Sequence, residues 1–101
     1  MSAAPDSAGE GVLRVLTILE ALTQFAASGA RNSELAKAAE TSPSNVTRAM
    51  HILISKGWAR RGEDGRFWPT PRFTRMVFAV HDDFNRLERR LQDERRSYTG
   101  Q

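Results

Sequence analysis

The chain is 101 residues long, carries 15 lysines and arginines against 12 acids for a net charge of +3, and contains no cysteine. Its length makes one domain, able to bury roughly 60 to 70% of its unfolded surface without staples. The lack of cysteine excludes disulfides and thiol chemistry and allows a reducing compartment.

Residues 1–9 are small and polar, uncharged apart from Asp6, with no basic n-region and no apolar h-region. They read as a disordered tail, not as a signal peptide. No apolar run approaches the ~20 residues of a membrane span, so no membrane partner is expected.

A first short helix carries Ser33-Glu34-Leu35-Ala36, and Glu40-Thr41-Ser42-Pro43 then supplies a turn. Ser42 suits the cap of a new helix and Pro43 its first position, where a missing N–H costs nothing. From Pro43 to Lys56, Val46, Ala49, Met50, Leu53 and Ile54 recur at three- and four-residue spacing and predict a buried face. Ser44, Asn45, Thr47, Arg48, His51 and Ser55 fall largely on the other side, which leaves that side free to read a ligand.

Gly57 ends this helix in the manner of a left-handed cap. Trp58-Ala59-Arg60-Arg61, the turn Gly62-Glu63-Asp64-Gly65 and Arg66-Phe67-Trp68 up to Pro69 then read as a basic two-stranded hairpin. Trp58 and Trp68 are expected to supply packing area to the core and hairpin. Two short helices, a tight turn and a hairpin make the layout of a winged helix-turn-helix.

Further on, Phe73, Val77, Val80, Phe84, Leu87 and Leu91 alternate four and three residues apart, the mark of a helix seam, which predicts a long helix from about Arg72 to Ser97. Phe73 and Val77 suit packing on the winged-helix core, and the part after His81 projects. If two such helices paired parallel and in register, Asp83 would face Glu88 and Arg90 would face Arg95, so an antiparallel pair or packing onto the domain is preferred. An ordinary helix closing the monomer core, or one that binds a different protein, fits the same spacing.

These residues resemble the N-terminal DNA-binding domain of the IclR family of bacterial transcription regulators. Ser33-Glu34-Leu35-Ala36 matches that family's S-E-L-A helix. Ser44-Asn45-Val46-Thr47-Arg48-Ala49-Met50-His51-Ile52-Leu53 matches its S-T-V-x-R-L-L-x-x-L helix, and Gly57-Trp58 stands at the exit into the wing. Val12 to Leu22 is similar to the family's opening helix. The resemblance spans roughly Gly11 to Arg72 and leaves out the family's C-terminal effector-binding domain, so small-molecule sensing does not carry over.

The expected fold is therefore mainly α with a small β-hairpin: a tail over 1–9, a winged helix-turn-helix over 10–72, a C-terminal helix over 73–97 and a flexible tail over 98–101. Charge divides unevenly along it. Residues 1–41 hold three basic against five acidic residues (−2), residues 42–75 hold seven against two (+5), and residues 76–101 hold five of each. The excess thus lies in the proposed recognition helix and wing, where a polyanion would dock.

The expected partner is double-stranded DNA. Ser44, Asn45, Thr47, Arg48 and His51 would lie near base edges and phosphates of the major groove. Asn45 and Arg48 suit base readout, though either suits a phosphate equally. Arg60, Arg61 and Arg66 would grip the backbone or minor groove, and the helix starts at Ser33 and Ser42 offer free N–H groups to phosphate. Val80, Phe84, Leu87 and Leu91 would form a homodimer contact, giving the two half-sites that tight binding typically uses.

No catalytic residue, metal site or cofactor is expected. His51 and His81 are 30 positions apart with no cysteine and no carboxylate set around them, and no glycine-rich phosphate loop occurs. The reading is a small bacterial or phage DNA-binding regulator, cytoplasmic and associated with the nucleoid. The alternative is a winged-helix module that binds a protein partner through its C-terminal helix or recognition face.

Overall fold

A computed structural model describes residues 7–100, the side chains of Ser7 and Ala8 excepted. Helices α1 (Ser7–Thr23), α2 (Asn32–Ala38) and α3 (Pro43–Lys56) are followed by strands β1 (Ala59–Arg61) and β2 (Phe67–Pro69) and by helix α4 (Pro71–Thr99). The strands pair antiparallel with Ala59 opposite Pro69, Arg60 opposite Trp68 and Arg61 opposite Phe67. This is the mainly α winged helix-turn-helix with a hairpin and a long C-terminal helix that the sequence predicts.

The core is small and aliphatic. Ile18, Leu22, Leu35, Val46 and Met50 are its largest fully buried side chains, joined by Leu19, Leu53 and Phe67. One helical face of α1 and one of α3 thus meet across α2, with Phe67 closing the hairpin side. Removing that much apolar area from water is the main force holding the three helices together.

The turns follow from local chemistry. Ser42 caps α3 by accepting from the Asn45 N–H at 3.2 Å, with Pro43 in the first turn. Gly57 ends α3 in the left-handed region at φ 83°, and Trp58 N–H donates to the Leu53 carbonyl at 2.9 Å. Between α2 and α3, Glu40 takes φ 54°, a left-handed conformation without glycine. A connection absent from the sequence reading joins Ala30 to Phe67 by two backbone hydrogen bonds, 2.9 and 2.8 Å long, and seats the hairpin against the α1–α2 turn.

Several expectations need correction. The residues 7–9 assigned to the tail are the first turn of α1, while residues 1–6 lie outside the described residues. Helix α4 runs on through Tyr98 to Thr99 with Gly100 as its left-handed cap, so the first half of the expected flexible tail is helix, and Gln101 lies outside the described residues. Ile54 is exposed instead of buried, because it lies at the edge of the α3 core face, above the groove to the wing.

The largest difference concerns α4. Thr70 caps it, donating to the Gly57 carbonyl at 2.6 Å and accepting from Phe73 N–H at 3.3 Å. Phe73 packs on Trp58 with ring centroids 5.6 Å apart. Beyond it no side chain of α4 is buried, Val77 included, so the helix does not close the monomer core. The radius of gyration is 19.3 Å, against about 13 Å for a compact chain of this length. Helix α4 therefore projects as a lever with its seam uncovered.

Candidate nucleic-acid interface

Helix α3 presents Ser44, Arg48, His51 and Ser55 to solvent, opposite the buried Val46, Ala49, Met50 and Leu53. Its two flanks differ. On one, Thr47, His51 and Ile54 line a narrow groove with Arg61 and Phe67 of the hairpin. On the other, Asn45, Arg48 and Ile52 line an open apolar groove with Val12, Val15 and Leu16 of α1.

The hairpin register sorts the wing arginines. Arg61 stands opposite Phe67, with its guanidinium over that ring at 5.6 Å, on the face turned to α3. Arg60 stands opposite Trp68 and lies over its ring at 5.2 Å, on the other face. Trp68 in turn covers Gly29, which at φ 78° has no room for a side chain. Arg66 is paired within the turn: its Nε is 3.3 Å from Asp64 Oδ2, and its N–H donates to Asp64 Oδ1 at 3.0 Å. Of the three wing arginines, only Arg61 shares a face with the outer side of α3.

Several predicted polar residues already have partners. Asn45 is half-buried, donates to Thr41 Oγ1 at 2.9 Å and accepts from Arg48 at 2.9 Å, so its amide is turned to the α1 flank and engaged within the chain. Thr47 Oγ1 donates to the Pro43 carbonyl at 3.1 Å and accepts from Asn32 Nδ2 at 3.0 Å. The Ser42 hydroxyl serves its own helix cap. Ser33 is exposed one residue inside α2, but Glu34 places a carboxylate there, accepting the Arg31 N–H at 2.7 Å. That negative charge works against an anion at the start of α2. Ser44, Arg48 and His51 form one exposed stripe of α3, with His51 beside Arg61 at the wing and Arg48 donating to Asn45 Oδ1 on the α1 flank.

Sequence reasoning missed Asn32. Its Nδ2 donates to both the Pro43 carbonyl, at 3.2 Å, and Thr47, which fixes α3 against the start of α2. An Asn eleven and fifteen residues upstream of its partners leaves no periodic signal. The four residues expected at a dimer contact, Val80, Phe84, Leu87 and Leu91, all lie on the exposed seam of α4, with Phe84 68% exposed. No group of three potential metal ligands occurs among the described residues, and no described helix is long and apolar enough to cross a membrane.

A family model described as the IclR helix-turn-helix domain matches residues 11–63. Among solved structures, the chain is similar to an O-methyltransferase (NcsB1) from neocarzinostatin biosynthesis, solved in complex with S-adenosyl-L-homocysteine. That likeness has 26% identity and a TM-score of 0.51 over 68% of this chain. It covers only 22% of the methyltransferase's length. No curated protein matches the chain. The family match takes in the opening helix, the helix-turn-helix and the first half of the wing, and the chain belongs to the IclR helix-turn-helix domain family, a family of DNA-binding domains of transcription regulators.

Proposed function

We propose that this protein is a sequence-specific regulator that lays the outer face of α3 in the major groove of double-stranded DNA and rests Arg61 on the adjacent backbone. One observation carries the reading most: Ser44, Arg48 and His51 form one exposed stripe of α3, and His51 lines a groove with Arg61, all within the stretch that holds the chain's whole positive excess. Base readout falls to Arg48, Ser44 and His51: Asn45 has both ends of its amide engaged by Thr41 and Arg48, whereas Arg48 gives one guanidinium nitrogen to Asn45 and keeps its other donors. Arginine suits guanine, with two parallel hydrogen bonds that discriminate by ~1 to 3 kcal/mol. Arg60 faces away from α3 and serves as a backbone contact at the wing's edge, and Arg66 contributes little while Asp64 holds it.

In this reading residues 10–72 are the DNA-binding unit, and α4 supplies the homodimer through Val80, Phe84, Leu87 and Leu91. The seam left uncovered on α4 supports it, because exposed apolar rows of that length mark contact surfaces. The protein acts in the cytoplasm on the nucleoid, by occupying its operator.

The test is a pair of substitutions on a duplex selected from a random library. Arg48→Ala is expected to weaken the selected site by ~1 to 3 kcal/mol and random DNA much less, whereas Arg61→Ala weakens both alike. Equal losses on both DNAs for Arg48→Ala would remove α3 as the reading element.

A further inference from the structure

The seam of α4 can be paired with itself in several registers, and the charges on its edges distinguish them. Val77, Phe84, Leu91 and Tyr98 form one row, and Phe73, Val80, Leu87 and Glu94 the other, in the a and d positions of a heptad pattern. Asp83 and Arg90 flank the seam on one edge, and His81, Glu88 and Arg95 on the other. The flanking charged positions are all exposed, Phe73 packs on Trp58 of its own domain, and Asp83 pairs with Arg86 of its own helix at 3.0 Å.

We infer that two copies of this chain associate through an antiparallel α4 pair whose twofold axis passes between Asn85 and Arg86, so that Asp83 of each copy meets Arg90 of the other. The inference rests on the homodimer reading above and specifies its geometry. In this register Phe84 packs on the second copy's Leu87 and Val80 on its Leu91, each contact occurring twice, while Tyr98 falls level with the second copy's Phe73, whose ring packs on Trp58 of its own domain. The side chains of Asp83 and the second copy's Arg90 lean toward each other, because each tilts toward its own N-terminus and the helices run oppositely. On the other edge Glu88 lies nearest the second copy's His81. Val77 opposite Glu94 is the one layer without apolar complementarity.

The competing registers each bring like charges together. Sliding the antiparallel pair by one heptad places Asp83 on Asp83 in one direction and Arg90 on Arg90 in the other. The parallel pair sets Asp83 on Glu88, Arg90 on Arg95 and Glu94 on Glu94. Like charges across such an edge disfavour the pairing, so the charge pattern selects one register. That register also sets the two Phe73 positions ~38 Å apart along the pair, from 25 residues of helical rise. Half-sites one turn of DNA apart are ~34 to 36 Å from centre to centre, so the helix pair spaces the two reading heads on the right scale.

Two measurements on the full chain test this. Asp83→Arg and Arg90→Asp are made separately, and dimerisation is followed by sedimentation for each variant and for their mixture. Each variant alone is expected to dimerise at least tenfold more weakly than the parent, and the equimolar mixture to recover as a heterodimer, since both edge pairs are then opposite in sign. In the second, Ser97→Cys carries a spin label. The antiparallel register places the two labels roughly 35 Å apart, and a parallel pair places them on the order of 15 Å apart. A dimer with the short distance, or one that Asp83→Arg strengthens, would overturn the register and leave the homodimer standing. A parent chain that stays monomeric at all concentrations would overturn both.

Discussion

Asn32 and Thr47 are joined by a 3.0 Å hydrogen bond across the helix-turn-helix, and the same Asn32 amide holds the Pro43 carbonyl at 3.2 Å. The bond fixes the angle at which α3 leaves the body, and hence what its outer face can reach. Both partner residues, Thr47 and Pro43, are exposed, so each bond contributes modestly. Asn32→Ala is expected to lower stability by about 1 kcal/mol in urea unfolding. DNA affinity should fall by more than that stability loss alone explains.

The wing arginines are predicted to differ although the sequence presents them alike. Arg61→Ala removes a cation on the α3 side and should lower the salt dependence of DNA binding by about one phosphate contact. Arg66→Ala removes a guanidinium already held by Asp64 and should leave that slope nearly unchanged. Anisotropy of labelled duplex across a salt series separates the two.

Two glycines give a stability test with opposite signs. At Gly29 a Cβ would stand 2.6 Å from Trp68 Cε2, in a backbone at φ 78°, so Gly29→Ala is expected to destabilise by about 2 kcal/mol or more. Gly11 lies inside α1 with nothing within 4 Å of an added Cβ, so Gly11→Ala should stabilise by ~0.5 to 1 kcal/mol. Both are read from urea midpoints at unchanged slope.

Glu40 occupies the left-handed region at φ 54° in the turn before α3. For an L residue with a side chain this costs roughly 1 to 2 kcal/mol, part of which glycine returns as unfolded-state entropy. Glu40→Gly is expected to raise stability by up to about 1 kcal/mol in thermal or urea unfolding, without altering the helices by circular dichroism.

Much of the fold was legible because its punctuation is local. Ser42-Pro43 starts α3, Gly57 stops it, and the paired glycines of the hairpin turn mark the wing, each through chemistry within a few residues. What stayed hidden depends on three-dimensional register. Alternation put Arg60 and Arg61 on opposite faces of a strand, but only the burial of Phe67 says which face meets α3. The seam of α4 reads the same whether it covers its own core or another copy. Thr47 looked free because its partner Asn32 lies fifteen residues upstream with no periodic spacing, whereas Asn45 meets Thr41 and Arg48 at ordinary four- and three-residue spacings that do not say which polar pairs form. The sequence thus presents a set of polar residue types, and the structure divides them into exposed side chains and ones hydrogen-bonded within the chain.

The most direct test of the central claim is fluorescence anisotropy with a duplex from upstream of the protein's own gene and a scrambled duplex of equal length, each titrated across a salt series. Tighter binding to the upstream duplex is expected, with a steep loss of affinity with salt whose logarithmic slope counts ~0.9 per phosphate contacted. Equal affinity for the two duplexes would contradict sequence-specific reading by α3, and no binding even at low salt would contradict DNA as the partner.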